Sequence, residues 1–270
     1  MSAEIIRPPV SITTLQRMKA KGEKIACLTC YDASFTRVLE DAGVDVFIVG
    51  DSLGMVLKGH ESTVAVTMKD MIYHAANVAR TGRLALRVVD LPFMSYATRE
   101  QALGNAARLM RDGGAHMVKL EGGLVVAGVV EHLTRHAIPV CGHIGLQPQS
   151  VHALGGYRVQ GRDEAGAATL IDDARALEAA GASLLVIECV PAELAARLSA
   201  AVTIPTIGIG AGPACDGQVL VLYDMLGITP GKRPRFVKDF LGQAGSVPAA
   251  ITAYVRAVRD GSFPGPEHCF

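Results

Sequence analysis

Apolar positions along the chain fall in short, β-branched runs of strand length, each followed by a longer amphipathic stretch. Eight such runs predict strands at 25–30 (IACLTC), 45–50 (DVFIVG), 84–89 (LALRVV), 115–120 (AHMVKL), 138–143 (IPVCGH), 183–188 (SLLVIE), 204–209 (IPTIGI) and 219–223 (VLVLY). Between them, helical patterns at 34–42, 98–112, 124–136 and 163–180 are long enough to cross back over a sheet, as a parallel pairing requires. An amphipathic helix at 11–21 precedes the first strand, and two more, at 234–244 and 248–261, follow the last. Three times a helix stops at glycine, a strand follows, and a carboxylate lies at or just past its end: Gly43 to Asp51, Gly114 to Glu121 and Gly181 to Glu188. These units recur at intervals of about 70 residues, so one strand and helix take roughly 35, near the roughly 31 of a 250-residue barrel. The expected architecture is α/β, a (β/α)8 TIM barrel formed by 1–270 as one domain, with an extra N-terminal helix and C-terminal helices.

Composition narrows the function. Of 270 residues half are apolar, and 26 basic side chains balance 26 acidic ones, so no broad basic field exists to hold nucleic acid. Met1–Val10 carries Glu4, Arg7, Pro8 and Pro9 where an export signal needs a continuous apolar run, and Pro205 and Pro213 interrupt the uncharged, apolar-looking run 198–215. The expectation is a cytoplasmic protein that meets no membrane. Its six cysteines then read as reduced thiols, with Cys27 and Cys30 as strand filler rather than a redox or zinc pair.

In a β/α barrel the site lies at the carboxyl ends of the strands. The second strand ends in Asp51-Ser52, the third in Asp90, the fourth in Lys119-Leu120-Glu121, the fifth in His143 and the sixth in Glu188, and Asp224 follows the eighth. Carboxylates converging from several strands repel unless a cation holds them, and hard oxygen donors without a Cys/His cluster select Mg2+. Asp51 and Asp90 are the first candidates as ligands and Glu121 the third; the alternative is that such acids cap helices. Lys119 and Glu121 share one side of their strand across Leu120, the interior side if Leu120 packs outward. Lys119 suits a substrate carboxylate, or else forms a structural ion pair. Glu188 follows an apolar run, so poor hydration would make it a better base. Pattern alone reaches metal-assisted proton abstraction beside a carbonyl. His143 reads as an acid/base or supporting group, or as a satisfied strand-end histidine. The glycines of GIGAGP (208–213) read as a tight turn or a phosphate loop, and the Gly-rich 155–166 as a mobile lid.

At these residues the chain resembles the ketopantoate hydroxymethyltransferase family. The resemblance rests on TCYDASF (29–35), VGDSLGMV (49–56), GHEST (59–63), DLPFMSYAT (90–98), NAARLMRDGGAHMVKLEGG (105–123), PVCGHIGLQPQS (139–150), GGYRVQGR (155–162), LEAAGASLLVIECVP (177–191), IGIGAG (207–212) and DGQVLVLYDMLGI (216–228). It implies a barrel enzyme of pantothenate biosynthesis that moves a one-carbon unit from 5,10-methylenetetrahydrofolate to 3-methyl-2-oxobutanoate with water, giving 2-dehydropantoate and tetrahydrofolate. Matched position by position, Asp51, Asp90 and Glu121 fall on the magnesium ligands, Glu121 directly or through water. Asp51, Ser52, Asp90 and Lys119 fall on the keto-acid binding set, and Glu188 on the proton acceptor. The implied path is a magnesium-stabilised enolate, formed by Glu188, attacking the one-carbon unit that the opened folate ring offers. A homodecamer is implied as well. The competing readings are a lyase or mutase of the phosphoenolpyruvate/isocitrate lyase kind, of whose KKCGH block only Cys141-Gly142-His143 is present, and a non-catalytic binder, which the intact acid set disfavours.

Overall fold

Eight parallel strands close into a barrel in sequential order. The structure, a computed structural model, describes residues 8–231 and 233–270, so the part of the N-terminal segment up to Arg7 lies outside the described residues. The elements run α1 (Ile12–Lys21), β1 (Ile25–Thr29), α2 (Ala33–Asp41), β2 (Val46–Val49), α3 (Leu53–Val56), α4 (Met68–Thr81), β3 (Leu86–Asp90), α5 (Arg99–Arg111), β4 (Met117–Glu121) and α6 (Ala127–Arg135). They continue through β5 (Val140–Gly145), α7 (Val151–Leu154), α8 (Glu164–Ala179), β6 (Leu184–Glu188), α9 (Ala192–Ala201), β7 (Thr206–Ile209), β8 (Gly217–Leu220), α10 (Leu222–Met225), α11 (Leu241–Ala244) and α12 (Val247–Arg259). The ring closes where β1 pairs with β8, Ile25 opposite Gly217 and Leu28 opposite Leu220.

Side-chain alternation makes two cores from apparently unbroken apolar strands. Ala26 and Leu28 face the helices, with Val118, Leu120 and Leu185, whereas Ile25, Cys27, Val88, Met117, Cys141 and Val186 fill the barrel. Leu15 of α1 belongs to this inner core, 1% exposed, so α1 stoppers the amino end of the barrel. Lys19 of α1 fastens the stopper: its ammonium donates to the carbonyls of Ser199, Val202 and Ile204 at 3.2, 3.1 and 2.9 Å and lies 3.0 Å from Asp216 Oδ2. On the outside, Tyr254 of α12 places its hydroxyl 2.8 Å from the Cys27 carbonyl and 2.9 Å from that of Gln218.

Local chemistry sets the boundaries. Side chains of Ser11, Asp32, Thr67, Thr98, Asp163 and Ser246 accept backbone N–H groups at the starts of α1, α2, α4, α5, α8 and α12. Gly114 and Gly181 adopt the left-handed conformation that turns each helix into its strand, φ 69° and 97°. A Cβ at Gly181 would lie 2.9 Å from Thr134 Oγ1, so packing as well as φ demands glycine there.

Two expectations are corrected. The eighth strand is Gly217–Leu220, not 219–223: Gly217 pairs with Ile25 and a side chain there would strike the Ile25 carbonyl, while Leu222 starts α10 with its N–H on Thr29 Oγ1 at 2.9 Å. The helix expected at 234–244 forms only at Leu241–Ala244. Its first half is a turn, closed by the Val237 N–H on the Pro234 carbonyl at 3.1 Å, that brings Arg235 and Phe236 to the barrel mouth beside Arg233, and the Phe240 N–H bonds the Met225 carbonyl at 2.9 Å instead of a helical partner. Helices α4 and α9 were not among the patterns named from the sequence.

Candidate active site

The strand ends deliver their polar side chains to one cavity of about 1040 Å3 at the carboxyl mouth. Asp51, Ser52, Asp90, Lys119, Glu121 and Glu188 all line it, with His143 and Asp224. Leu120 packs among the helices, so Lys119 and Glu121 point into the barrel, as their alternation predicts. Asp90 ends β3 and Asp51 starts the turn after β2; the Asp51 N–H donates to Asp90 Oδ2 at 3.1 Å, fixing the two carboxyl-bearing segments together. A Cβ at Gly50 would stand 2.8 Å from Ser52 Oγ, so glycine keeps this turn tight. Ser52 Oγ in turn lies 2.9 Å from the hydroxyl of buried Tyr31.

Lys119 sits 2.8 Å from Asp90 Oδ1 with both side chains almost fully buried. Burial works against the lysine charge, but Asp90, Glu121 and Asp51 outweigh it and hold the ammonium well above the ordinary lysine range. Burial pushes the Asp51 carboxyl up to about 7, and neighbouring Asp90 adds to the rise against the pull of Lys119 and Gln149. Glu121 is raised well above the carboxylate range, first by burial and then by Asp51. His143 is lowered, by burial and by Lys119. Its Nε2 lies 3.1 Å from Glu188 Oε2 and its Nδ1 3.6 Å from Glu121 Oε1. Glu188 is the most open of the floor carboxylates, its side chain 14% exposed against 4% for Asp90 and 2% for Glu121, so it is better hydrated than the apolar run before it suggests.

The donor chemistry bears directly on a metal. Asp51 and Asp90 are adjacent hard oxygen donors whose like charges raise one of them, and Asp90 Oδ1 faces the Lys119 ammonium at 2.8 Å. That set suits Mg2+, which takes one or two carboxylates and fills its remaining positions with water and substrate oxygens. No group of three or more His, Cys, Asp or Glu side chains is placed to hold an ion among the described residues. Glu121 Oε2 accepts the Gln149 N–H at 3.0 Å.

Gln149 is the residue the sequence reading missed. Its amide Nε2 donates to Asp51 Oδ2 at 2.7 Å and to the Leu91 carbonyl at 3.0 Å, and its Oε1 accepts the Tyr96 hydroxyl at 2.6 Å. One buried side chain thus ties the ends of β2 and β3 to Tyr96, while the backbone N–H of the same residue reaches Glu121 at the end of β4. No local pattern marks it, since its partners lie 98, 58 and 53 residues away. The 155–162 stretch passes over the mouth, with the Tyr157 hydroxyl 3.5 Å from Met55 Sδ and the Gln160 N–H on the Cys189 carbonyl at 2.9 Å.

A closed parallel barrel carrying acids, a lysine and a histidine at its carboxyl mouth belongs to the class of β/α-barrel enzymes. Solved structures agree on the fold: 2,3-dimethylmalate lyase, a PEP mutase/isocitrate lyase superfamily member, matches with TM-score 0.57 and 18% identity over 80% of this chain and 82% of that one. Phosphonopyruvate hydrolase in complex with oxalate and Mg++ matches with TM-score 0.60 and 11% identity over 96% and 93%. The sequence is more specific. A model of the family described as ketopantoate hydroxymethyltransferase matches residues 9–266. The 3-methyl-2-oxobutanoate hydroxymethyltransferase of Nitrosococcus oceani is 59% identical over 255 residues, 94% of this chain and 97% of its own. That of Burkholderia multivorans is 58% identical over 267 residues, 99% and 98% of the two chains. The chain belongs to the ketopantoate hydroxymethyltransferase family and is an enzyme.

Proposed function

We propose that this enzyme transfers the one-carbon unit of 5,10-methylenetetrahydrofolate to 3-methyl-2-oxobutanoate, with water, to give 2-dehydropantoate and tetrahydrofolate in pantothenate biosynthesis. The observation that carries this reading is the convergence of Asp51, Asp90, Lys119 and Glu188, from four different strands, on one cavity. Asp51 and Asp90 would hold Mg2+, which when bound polarises the keto group and offsets the negative charge that develops on its oxygen. Lys119 keeps its charge beside Asp90 and supplies the cation for the substrate carboxylate. Ser52, oriented by Tyr31, adds a hydroxyl at the same end. Glu188 removes the C3 proton, and its openness to the cavity gives it access to substrate that the deeper acids lack. His143, which burial and Lys119 push toward the uncharged form, stands with its Nε2 3.1 Å from Glu188 Oε2. A positioned base contributes about 10² to 10⁴ in rate. The C3 electron pair then forms the bond to the incoming carbon, water displaces the folate nitrogens from that carbon and supplies the hydroxyl oxygen, and the proton from C3 and one from water end on the two nitrogens of tetrahydrofolate.

The same reading takes the enzyme as cytoplasmic. No helix among the described residues is long and apolar enough to cross a membrane. It also takes the chain as a homo-oligomer, a decamer by resemblance; Leu124 and Val125, 65% and 91% exposed before α6, are apolar surface of the kind such an assembly covers.

Proton NMR of 3-methyl-2-oxobutanoate in deuterated buffer tests the assignment. With enzyme and Mg2+ the C3 signal exchanges away, and adding methylenetetrahydrofolate brings up the hydroxymethyl product. In Glu188→Gln, which keeps the side-chain shape, exchange falls by about 10² or more while keto-acid binding persists. Exchange without product would transfer the enzyme to a different enolate chemistry, and unchanged exchange in the variant would remove Glu188 as the base.

A further inference from the structure

Asp224 is the acid beyond a strand end that the proposed reaction leaves unused. It stands in the first turn of α10, just past β8, and lines the same cavity as the floor groups. Its Oδ1 accepts the Thr229 hydroxyl at 2.5 Å. No cation pairs with it among the described residues: Arg233, whose charge is felt there, is taken by Asp239 Oδ2 at 3.1 Å. An ionised carboxyl has room for about four donors, so most of its accepting capacity is unused. Burial raises this carboxyl against the pull of Thr229 and Arg233, a cost that N–H donors from a ligand would offset. The residue is not remote from the floor, because its charge and that of Asp90 both act on Tyr31, whose hydroxyl lies 2.9 Å from Ser52 Oγ. Of the reactants, the keto acid brings oxygen acceptors and a negative charge, which Asp224 repels. The 2-amino-4-oxopyrimidine edge of a reduced pterin presents N3–H and an exocyclic N–H side by side, the same parallel pair of donors that a carboxylate accepts from a guanidinium.

We propose that Asp224 reads the pterin edge of the one-carbon donor, its carboxylate accepting the N3–H and the 2-amino N–H while Thr229 holds it in that orientation. This rests on the transferase reading given above. The surroundings suit a flat heterocycle: Phe236 and Phe270 line the same cavity with ring centroids 6.5 Å apart, and both pack on Gly210 after β7, where a Cβ would stand 3.0 and 3.1 Å from the two rings. Aromatic faces beside the ring and a carboxylate at its edge divide the work, the first supplying contact area and the second orientation. Asparagine at 224 would keep the shape and the bond from Thr229 but turn its NH2 toward the pterin donors, setting donor against donor.

Calorimetric titration of tetrahydrofolate onto the full-length enzyme, with Mg2+ and keto acid present, tests this in wild type and Asp224→Asn. The expected Kd rises by about 10- to 100-fold in the variant, as loss of hydrogen bonds to a charged group gives. A second ligand, 2-desamino-tetrahydrofolate with hydrogen in place of the exocyclic amine, isolates the contact. Wild type should bind it about 10-fold more weakly than tetrahydrofolate, and Asp224→Asn should distinguish the two by less than about 3-fold, because the partner of the amine is already gone. Folate-independent exchange of the keto-acid C3 proton should stay within about 2-fold of wild type in the variant, since that step precedes the pterin. Equal tetrahydrofolate affinity in the two enzymes overturns the proposal. So does an equal penalty for the missing amine in both, and so does C3 exchange that falls in step with folate affinity, because Asp224 would then support the floor rather than meet the pterin. Wild-type enzyme that neither binds tetrahydrofolate nor forms product from methylenetetrahydrofolate overturns the transferase reading itself, a result distinct from tight binding that ignores Asp224.

Discussion

Replacing Gln149 by leucine removes the side chain that links the ends of β2 and β3 to Tyr96. The amide donates to the Asp51 carboxylate and the Leu91 carbonyl and accepts from Tyr96, while its backbone N–H bond to Glu121 survives the substitution. A hydrogen bond to a charged group contributes about 1.5–3 kcal/mol and a neutral one about 1, and the abandoned partners remain buried. The expected loss is therefore about 3–5 kcal/mol of folding stability, a large share of the roughly 5–15 kcal/mol that a folded protein holds. Leucine also leaves Asp51 free to turn from the position shared with Asp90, so Mg2+ binding weakens with it. Urea unfolding followed by circular dichroism measures the first effect and calorimetric Mg2+ titration the second. The companion Gln149→Glu keeps the size of the side chain but sets a carboxyl against Asp51 Oδ2, and should impair Mg2+ binding more than leucine does at pH 8. A loss below about 1 kcal/mol with unaltered Mg2+ binding in both variants would refute the view that Gln149 organises the site.

Two further outcomes follow from single groups. With its carboxyl raised from 3.8 to about 7, Asp51 stays protonated in the folded metal-free protein at pH values where the unfolded chain has already ionised it. Its contribution to stability is complete below the unfolded value and is lost as pH rises through about 7. The metal-free melting temperature should hence be lower at pH 8 than at pH 6, and Mg2+ should raise it more at pH 8; a larger Mg2+ effect at pH 6 contradicts the assignment of Asp51 as a ligand. Tyr254→Phe deprives two buried carbonyls, of Cys27 and Gln218, of their hydroxyl, so unfolding by urea should come about 1–3 kcal/mol earlier with the keto-acid KM unchanged.

Most of the barrel was legible because strand-forming and helix-stopping chemistry is local. Seven of the strands lie where β-branched runs place them, and Gly43, Gly114 and Gly181 turn helix into strand with positive φ. The misplaced elements show what local reading lacks. VLVLY has the composition of a strand, yet the ladder uses Gly217 and Gln218 because only a side chain no larger than hydrogen fits against Ile25. PRFVKDFLGQA has helical spacing, yet its first residues are held at the mouth. The acid set was readable for a topological reason: in a parallel barrel the last residues of successive strands must meet. Gln149 was not, for it stands beyond a strand end and gains its meaning only from partners far away in sequence.

The stopper formed by α1 has a kinetic consequence. With Leu15 filling the amino end of the barrel, everything that reaches the floor passes through the carboxyl mouth. In the proposed reaction the keto acid would bind at that floor and the larger folate would roof it over, so the two could not exchange independently. Addition should be compulsory, keto acid first, and tetrahydrofolate must depart before 2-dehydropantoate can escape. A barrel closed at one end thus turns a two-substrate reaction into a queue, with its order written by depth.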